Sequence, residues 1–113
     1  MPALTEARPT VRASDIPEGE CARVVLDVPI AIFNVGGVFH AIDDTCSHQR
    51  ASLSEGWLEG HLVECPLHSS CFDVRNGEVH GLPATKPVRV HQVTVIDDVI
   101  WVSSPVAAAG GES

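Results

Sequence analysis

Two short segments, Cys46-Ser47-His48 and Cys65-Pro66-Leu67-His68, each set a thiol beside an imidazole, and 16 residues lie between them. Nothing else in the chain constrains its fold as strongly, because four such donors serve one centre only if the fold brings both segments to one point. One tetrahedral zinc ion would accept this Cys₂His₂ set. Zinc fingers, however, take two Cys from one turn and two His from one helix, whereas here each segment supplies one of each. Interleaving suits a two-iron cluster, with both thiolates on one iron, both imidazoles on the other and each loop straddling the pair.

The rest of the chain supplies a frame of strands. Cys21-Ala22-Arg23-Val24-Val25-Leu26-Asp27, Pro29-Ile30-Ala31-Ile32-Phe33-Asn34-Val35 and Val38-Phe39-His40-Ala41-Ile42 are rich in β-branched residues and separated by short turns, which predicts an antiparallel meander. Thr10–Ala13 is an edge-strand candidate, and Ser14–Glu20 is dense in turn residues. From Asp43 the pattern loosens for about forty positions, broken by His61–Cys65 and Cys71–Arg75, with Asn76-Gly77 as a tight turn. Strands resume at Val88–His91, Val93–Ile96 and Val99–Ser103, and the Ala/Gly/Ser tail from Pro105 is expected to fray. Helical periodicity is absent over any useful window, so the fold class is all-β. With 113 residues the chain has room for one domain, 1–113, and one modest core.

Charge narrows the partners. With 7 Lys+Arg against 15 Asp+Glu the formal net charge is −8, which disfavours nucleic acid and anionic membrane surfaces and favours a basic protein surface. No long apolar run and no leader-like N-terminus is visible, so a cytoplasmic, unanchored protein is expected. Cysteine beside histidine in a reducing compartment points to metal before disulfide.

The paired segments resemble the signature of Rieske-type [2Fe–2S] proteins, C-x-H followed at this range by C-x-x-H. Ser14–Glu20, Leu53-Ser54-Glu55-Gly56, Val63–His68 and Gly81-Leu82-Pro83-Ala84-Thr85-Lys86-Pro87-Val88 further resemble the small ferredoxins of bacterial aromatic-ring-hydroxylating dioxygenase systems, over about residues 10–103. The resemblance implies a Rieske fold: an antiparallel β-sandwich or barrel base (8–42 and 85–103), a loop-rich cluster-binding subdomain (about 43–84) and a tail (104–113). It implies one [2Fe–2S] cluster, with Cys46 and Cys65 on the buried iron and His48 and His68 on the outer iron. Pro83 would lie in a third loop against the cluster, and Ser70 is a candidate donor to its sulfurs; each could equally be an ordinary turn residue.

Respiratory-complex Rieske proteins carry a disulfide between the two loops, but here the corresponding places hold Ala51 or Arg50 and Leu67, so that bridge cannot form. The tuning tyrosine of high-potential members is replaced by Phe72, and the chain has no tyrosine. A potential in the lower half of the Rieske range, roughly −150 to +300 mV, is expected. Cys21 and Cys71 are expected to be buried or half-exposed rather than ligands, and His40, His61, His80 and His91 to be surface or strand residues.

Four protein ligands leave no open iron position, and a mononuclear iron site for oxygen activation needs a further domain. The resemblance therefore implies not an enzyme but a one-electron carrier between a flavin-dependent NAD(P)H ferredoxin reductase and a terminal ring-hydroxylating dioxygenase. A Rieske-like accessory subunit of the nitrite reductase small-subunit type and a zinc-stabilised binding module are the alternatives. Residues 43–80 carry seven acidic and two basic residues, for −5 on the cluster-bearing insertion. That charge either keeps solvated loops soluble or steers the chain toward a basic docking face.

Overall fold

In the computed structural model the described residues are 7–26, 28–45, 52–66, 71–80 and 88–106. Their backbone builds two antiparallel sheets. The larger has six strands in the order β1-β10-β9-β4-β3-β2, and the smaller has four in the order β5-β6-β7-β8.

The large sheet contains β1 (Arg8–Arg12), β2 (Cys21–Val25), β3 (Pro29–Val35), β4 (Val38–Asp43), β9 (Val90–Ile96) and β10 (Val99–Val106). The expected meander is β2-β3-β4, with Ala22 opposite Ile32 and Ile32 opposite Ala41. Strand β3 is apolar on both faces because it separates two cores. Ile30 and Ile32 join Ile16, Ala41, Ile100 and Val102 on one side, whereas Ala31 and Phe33 join Ile42, Leu53, Val63, Phe72 and Val74 on the other. Successive side chains of a strand point to opposite faces, so one continuous apolar run serves both clusters. Asn34 is the buried exception, and its Nδ2 donates to the Ile16 carbonyl at 2.7 Å while its Oδ1 accepts from the Gly37 amide at 2.8 Å.

The small sheet, formed by β5 (Trp57–Glu59), β6 (Leu62–Glu64), β7 (Cys71–Asp73) and β8 (Val79–His80), covers the second core. Val63 and Phe72, paired across β6 and β7, point inward and are fully buried. Short 3-10 turns at Ala13–Asp15 and Leu53–Glu55 link the strands. Among the described residues no helix is long and apolar enough to cross a membrane.

Three details differ from expectation. Val90-His91 and Val93–Ile96 belong to one continuous strand, β9, with no break at Gln92, and the expected start at Val88 falls two residues before it. Asn76-Gly77 closes a four-residue connection rather than a two-residue hairpin, because the Asp73 amide bonds to the Glu78 carbonyl and Phe72 pairs with Val79. The tail does not begin at residue 104: after an irregularity following Val102, Pro105 pairs with His91 and Val106 with Val90, so β10 runs on.

Candidate metal centre

Three loops leave the frame through necks that the described residues define. The first neck is the bridge between Thr45 and Ser52, which encloses residues 46–51. The second is the Glu64–Cys71 pair of β6 and β7, which encloses 65–70. The third leaves β8 at His80, paired with Cys71, and returns at Val88, whose amide donates to the Gly77 carbonyl at 3.0 Å. The second and third therefore start from one row of the small sheet, Glu64-Cys71-His80. The first returns beside them, because Gly56 lies so close to the Glu64 carbonyl that a Cβ there would collide with it. Leu53 and Cys65, one from each of the first two loops' stems, share the same buried cluster.

Of the expected ligands, Cys65 is described: it follows β6 directly and is 1% exposed among apolar side chains. Cys46, His48 and His68, and the candidate neighbours Ser70 and Pro83, lie outside the described residues. No group of three potential metal donors occurs among the described residues. The surroundings nonetheless fit a cluster of the expected kind. A buried thiol stands at the foot of one loop, the other Cys/His segment is enclosed by the adjacent neck, and the donor set is two thiolates with two imidazoles.

Buried aspartates hold the necks. Asp44, 2% exposed, accepts from Arg23 Nε at 3.0 Å, from the Ser54 amide at 2.8 Å and from the Ser52 hydroxyl at 2.5 Å, while its carbonyl accepts from the Leu53 amide. One residue thus ties both ends of the first loop to each other and to β2. Its neighbour Asp43 meets the end of the third loop, since Arg89 Nε donates to it at 2.8 Å and His91 Nε2 lies 2.9 Å from its other oxygen. Burial pushes the Asp43 carboxyl up, but the His91 and Arg89 hydrogen bonds outweigh this and hold it below the usual aspartate value. Asp73 is likewise held low by the Arg75 guanidinium, which grips both its oxygens at 3.0 and 2.8 Å.

None of these ties is visible as a motif. Asp43-Asp44 immediately before the first loop was the available signal, but Arg23, Arg89 and His91 are remote in sequence. His91 is a strand residue of β9 rather than a surface one: it is 3% exposed, and its Nδ1 has no hydrogen-bond partner among the described residues. Cys21 is half-buried and donates to the Ser54 carbonyl at 3.1 Å, consistent with a structural thiol. Its pKa is pushed up by burial and by Asp44 and Glu20. His40 stands edge-on to His61 with ring centroids 6.2 Å apart, and burial followed by that neighbour lowers its pKa.

A small two-sheet β protein with a buried thiol beside neighbouring necks and a Cys/His donor set split between the segments they enclose defines an iron–sulfur module. The model of the Rieske [2Fe-2S] domain matches residues 7–94, and the chain belongs to that family, whose cofactor is one Rieske cluster. It is 47% identical over 95 residues to the 3-phenylpropionate/cinnamic acid dioxygenase ferredoxin subunit of Escherichia coli (strain K12), covering 83% of this chain and 90% of that one. A chain in the complex of reduced oxygenase and oxidized ferredoxin in carbazole 1,9a-dioxygenase superposes with a TM-score of 0.83 at 38% identity, over 87% of this chain and 93% of that chain. The ferredoxin of carbazole 1,9a-dioxygenase from Nocardioides aromaticivorans IC177 also gives 0.83, at 30% identity, over 86% and 96%.

Proposed function

We propose that this chain is the ferredoxin component of an aromatic-ring dioxygenase system, a cytoplasmic single-domain carrier that takes one electron from a flavin-dependent NAD(P)H ferredoxin reductase and delivers it to the terminal oxygenase. The observation that supports this reading is that the necks enclosing the two Cys/His segments lie side by side, with Leu53 and the buried Cys65 in one cluster, in a chain that belongs to the Rieske family and resembles dioxygenase ferredoxins along most of its length. Cys46 and Cys65 are assigned to one iron and His48 and His68 to the other. Bound there, the cluster supplies reversible one-electron exchange with no open iron position for substrate.

The chain's own residues do the rest. Cys65, in an apolar surround, keeps water from one side of the site, and the Asp44 and Asp43 ties fix the stems of the first and third loops. A rigid mount lowers the reorganisation that each electron exchange requires. Ser70 and Pro83 are assigned positions beside the cluster, on the second and third loops.

The test is a reconstituted holoprotein assayed by EPR and by coupled electron transfer from candidate reductases to candidate terminal oxygenases. The wild type should give a Rieske spectrum on reduction and support turnover. His48→Cys and His68→Cys should each abolish that spectrum; an unchanged spectrum would refute the ligand assignment.

A further inference from the structure

The outward face of the small sheet carries an unusual combination. Trp57, at the start of β5, is 62% exposed. It pairs directly with Glu64 of β6, while Glu59 pairs with Leu62. Side chains of one strand alternate, so Trp57 and Glu59 emerge on one face and Leu58 turns inward to the core. These residues, with Cys71, line a shallow cavity of about 170 Å³. Among the described residues neither Glu59 nor Glu64 has an ion-pair partner. Both carboxylates raise the Cys71 pKa, after burial, so their charge is felt at the cavity wall.

An exposed indole beside two uncompensated carboxylates is poorly explained by stability. Trp57 gives little burial to the core, and two like charges on neighbouring strands of one face repel. The same arrangement is a receptor for a basic side chain: a guanidinium or ammonium stacks on the indole and pairs with the carboxylates, while Leu62 supplies apolar contact. Tryptophan and arginine are also the residues that dominate interface energetics. The location matters as much as the chemistry, because Glu64 precedes Cys65 and its partner Cys71 closes the neck of the second loop. A protein seated on this face lies against the root of a ligand loop.

We infer that the Trp57-Glu59-Glu64 face docks the terminal oxygenase by receiving an arginine or lysine side chain of its surface. This rests on the carrier reading above and specifies its contact.

The test uses holoprotein and the terminal oxygenase that the wild type reduces in the coupled assay, with stopped-flow rates for both half-reactions. Trp57→Ala should weaken oxygenase affinity by about tenfold or more, and Trp57→Phe should restore part of the loss. Glu59→Gln with Glu64→Gln should flatten the dependence of that rate on ionic strength. Glu78→Gln, in the exposed β7–β8 connection, should leave it unchanged. All variants should keep the wild-type EPR spectrum. Equal rates for wild type and the Trp57 and Glu variants would overturn the docking face while leaving the carrier reading intact. A loss confined to reduction by the reductase would overturn the assignment to the oxygenase. A wild type that reduces no terminal oxygenase would overturn the carrier reading, and this inference with it.

Discussion

Asp44→Ala should loosen the first ligand loop more than any other single substitution in the frame. The carboxylate is 2% exposed and accepts from three donors: Arg23 Nε at 3.0 Å, the Ser54 amide at 2.8 Å and the Ser52 hydroxyl at 2.5 Å. Their losses are unequal. The Ser52 hydroxyl already lies 2.9 Å from Ser54 Oγ and can turn to it, so that bond is largely recovered. Arg23 is 49% exposed and regains water, which discounts the ion pair to about 1 kcal/mol. The Ser54 amide has no other acceptor among the described residues and costs about 1–3 kcal/mol when left unmet. The sum is about 3 kcal/mol.

Asp44→Asn keeps an acceptor for Ser54 but sets an amide donor against Arg23, so about half that loss is expected. The assay is urea unfolding of the holoprotein followed by bleaching of the cluster's visible absorption. With a slope of about 1–3 kcal/mol per M, the midpoint of the Ala variant should fall by about 1–3 M. Arg23→Met should cost less than Asp44→Ala, and the double variant less than their sum, because the two substitutions remove one shared contact. A fall of under about 0.3 M for Asp44→Ala, or strict additivity with Arg23→Met, would refute the claim that Asp44 holds the neck.

Other consequences are separately measurable. Asp73 has a folded-state pKa below the usual aspartate value, so its contribution is complete above about pH 4 and is lost as pH falls through the depressed value. Asp73→Asn should therefore destabilise at pH 7, and its unfolding midpoint should converge with wild type in acid; a constant difference across pH would contradict this. Gly77 has φ +78° and a Cβ there would collide with the Val88 carbonyl, so Gly77→Ala should cost about 2 kcal/mol or more and lower Tm by about 8 °C or more. Gly60→Ala, at φ +62° but in open space, should cost about 1 kcal/mol, and equal costs at the two glycines would remove the steric argument. Cys21→Ala should leave the EPR spectrum unchanged at a cost of about 1 kcal/mol for the lost bond to Ser54, whereas loss of the cluster would make Cys21 a ligand.

How far the sequence disclosed this structure depends on which side chains advertise their neighbours. Strand β3 was readable to the residue because both of its faces are buried and it is apolar except at Asn34. Strand β9 read as two pieces because two consecutive polar residues, His91 and Gln92, interrupt the apolar alternation; His91 is nonetheless buried, with its Nε2 2.9 Å from Asp43, 48 positions away. Strands β5 and β8 were missed because three- and two-residue strands carry too little pattern, and the outward Trp57 of β5 hides its alternation. The end of β10 was missed because pairing resumed beyond an irregularity that local composition does not signal. At the site, the Cys/His spacing is what proposes the donor set, of which Cys65 lies among the described residues. The Asp43 and Asp44 ties were hidden, because an ion pair between remote residues leaves no trace in either segment.

Those ties also reapportion the acidic excess of residues 43–80. Asp43, Asp44 and Asp73 are each matched by an arginine, at 2.8, 3.0 and 2.8 Å, and their short side chains hold them in the stems and turns of the fold. Glu55, Glu59 and Glu78 are exposed and Glu64 is half-buried, and none of the four carboxylates has an ion-pair partner among the described residues. Paired charges at contact distance project little field beyond a Debye length of about 8 Å. The potential that an approaching protein meets from this part of the surface is therefore set by the glutamates. Two of them flank Trp57, so the choice between a solvated loop surface and a steering surface becomes a question about individual residues. If steering operates, the ionic-strength dependence of electron delivery follows Glu59 and Glu64 and is insensitive to removing the Asp73–Arg75 pair together, because those two charges already cancel.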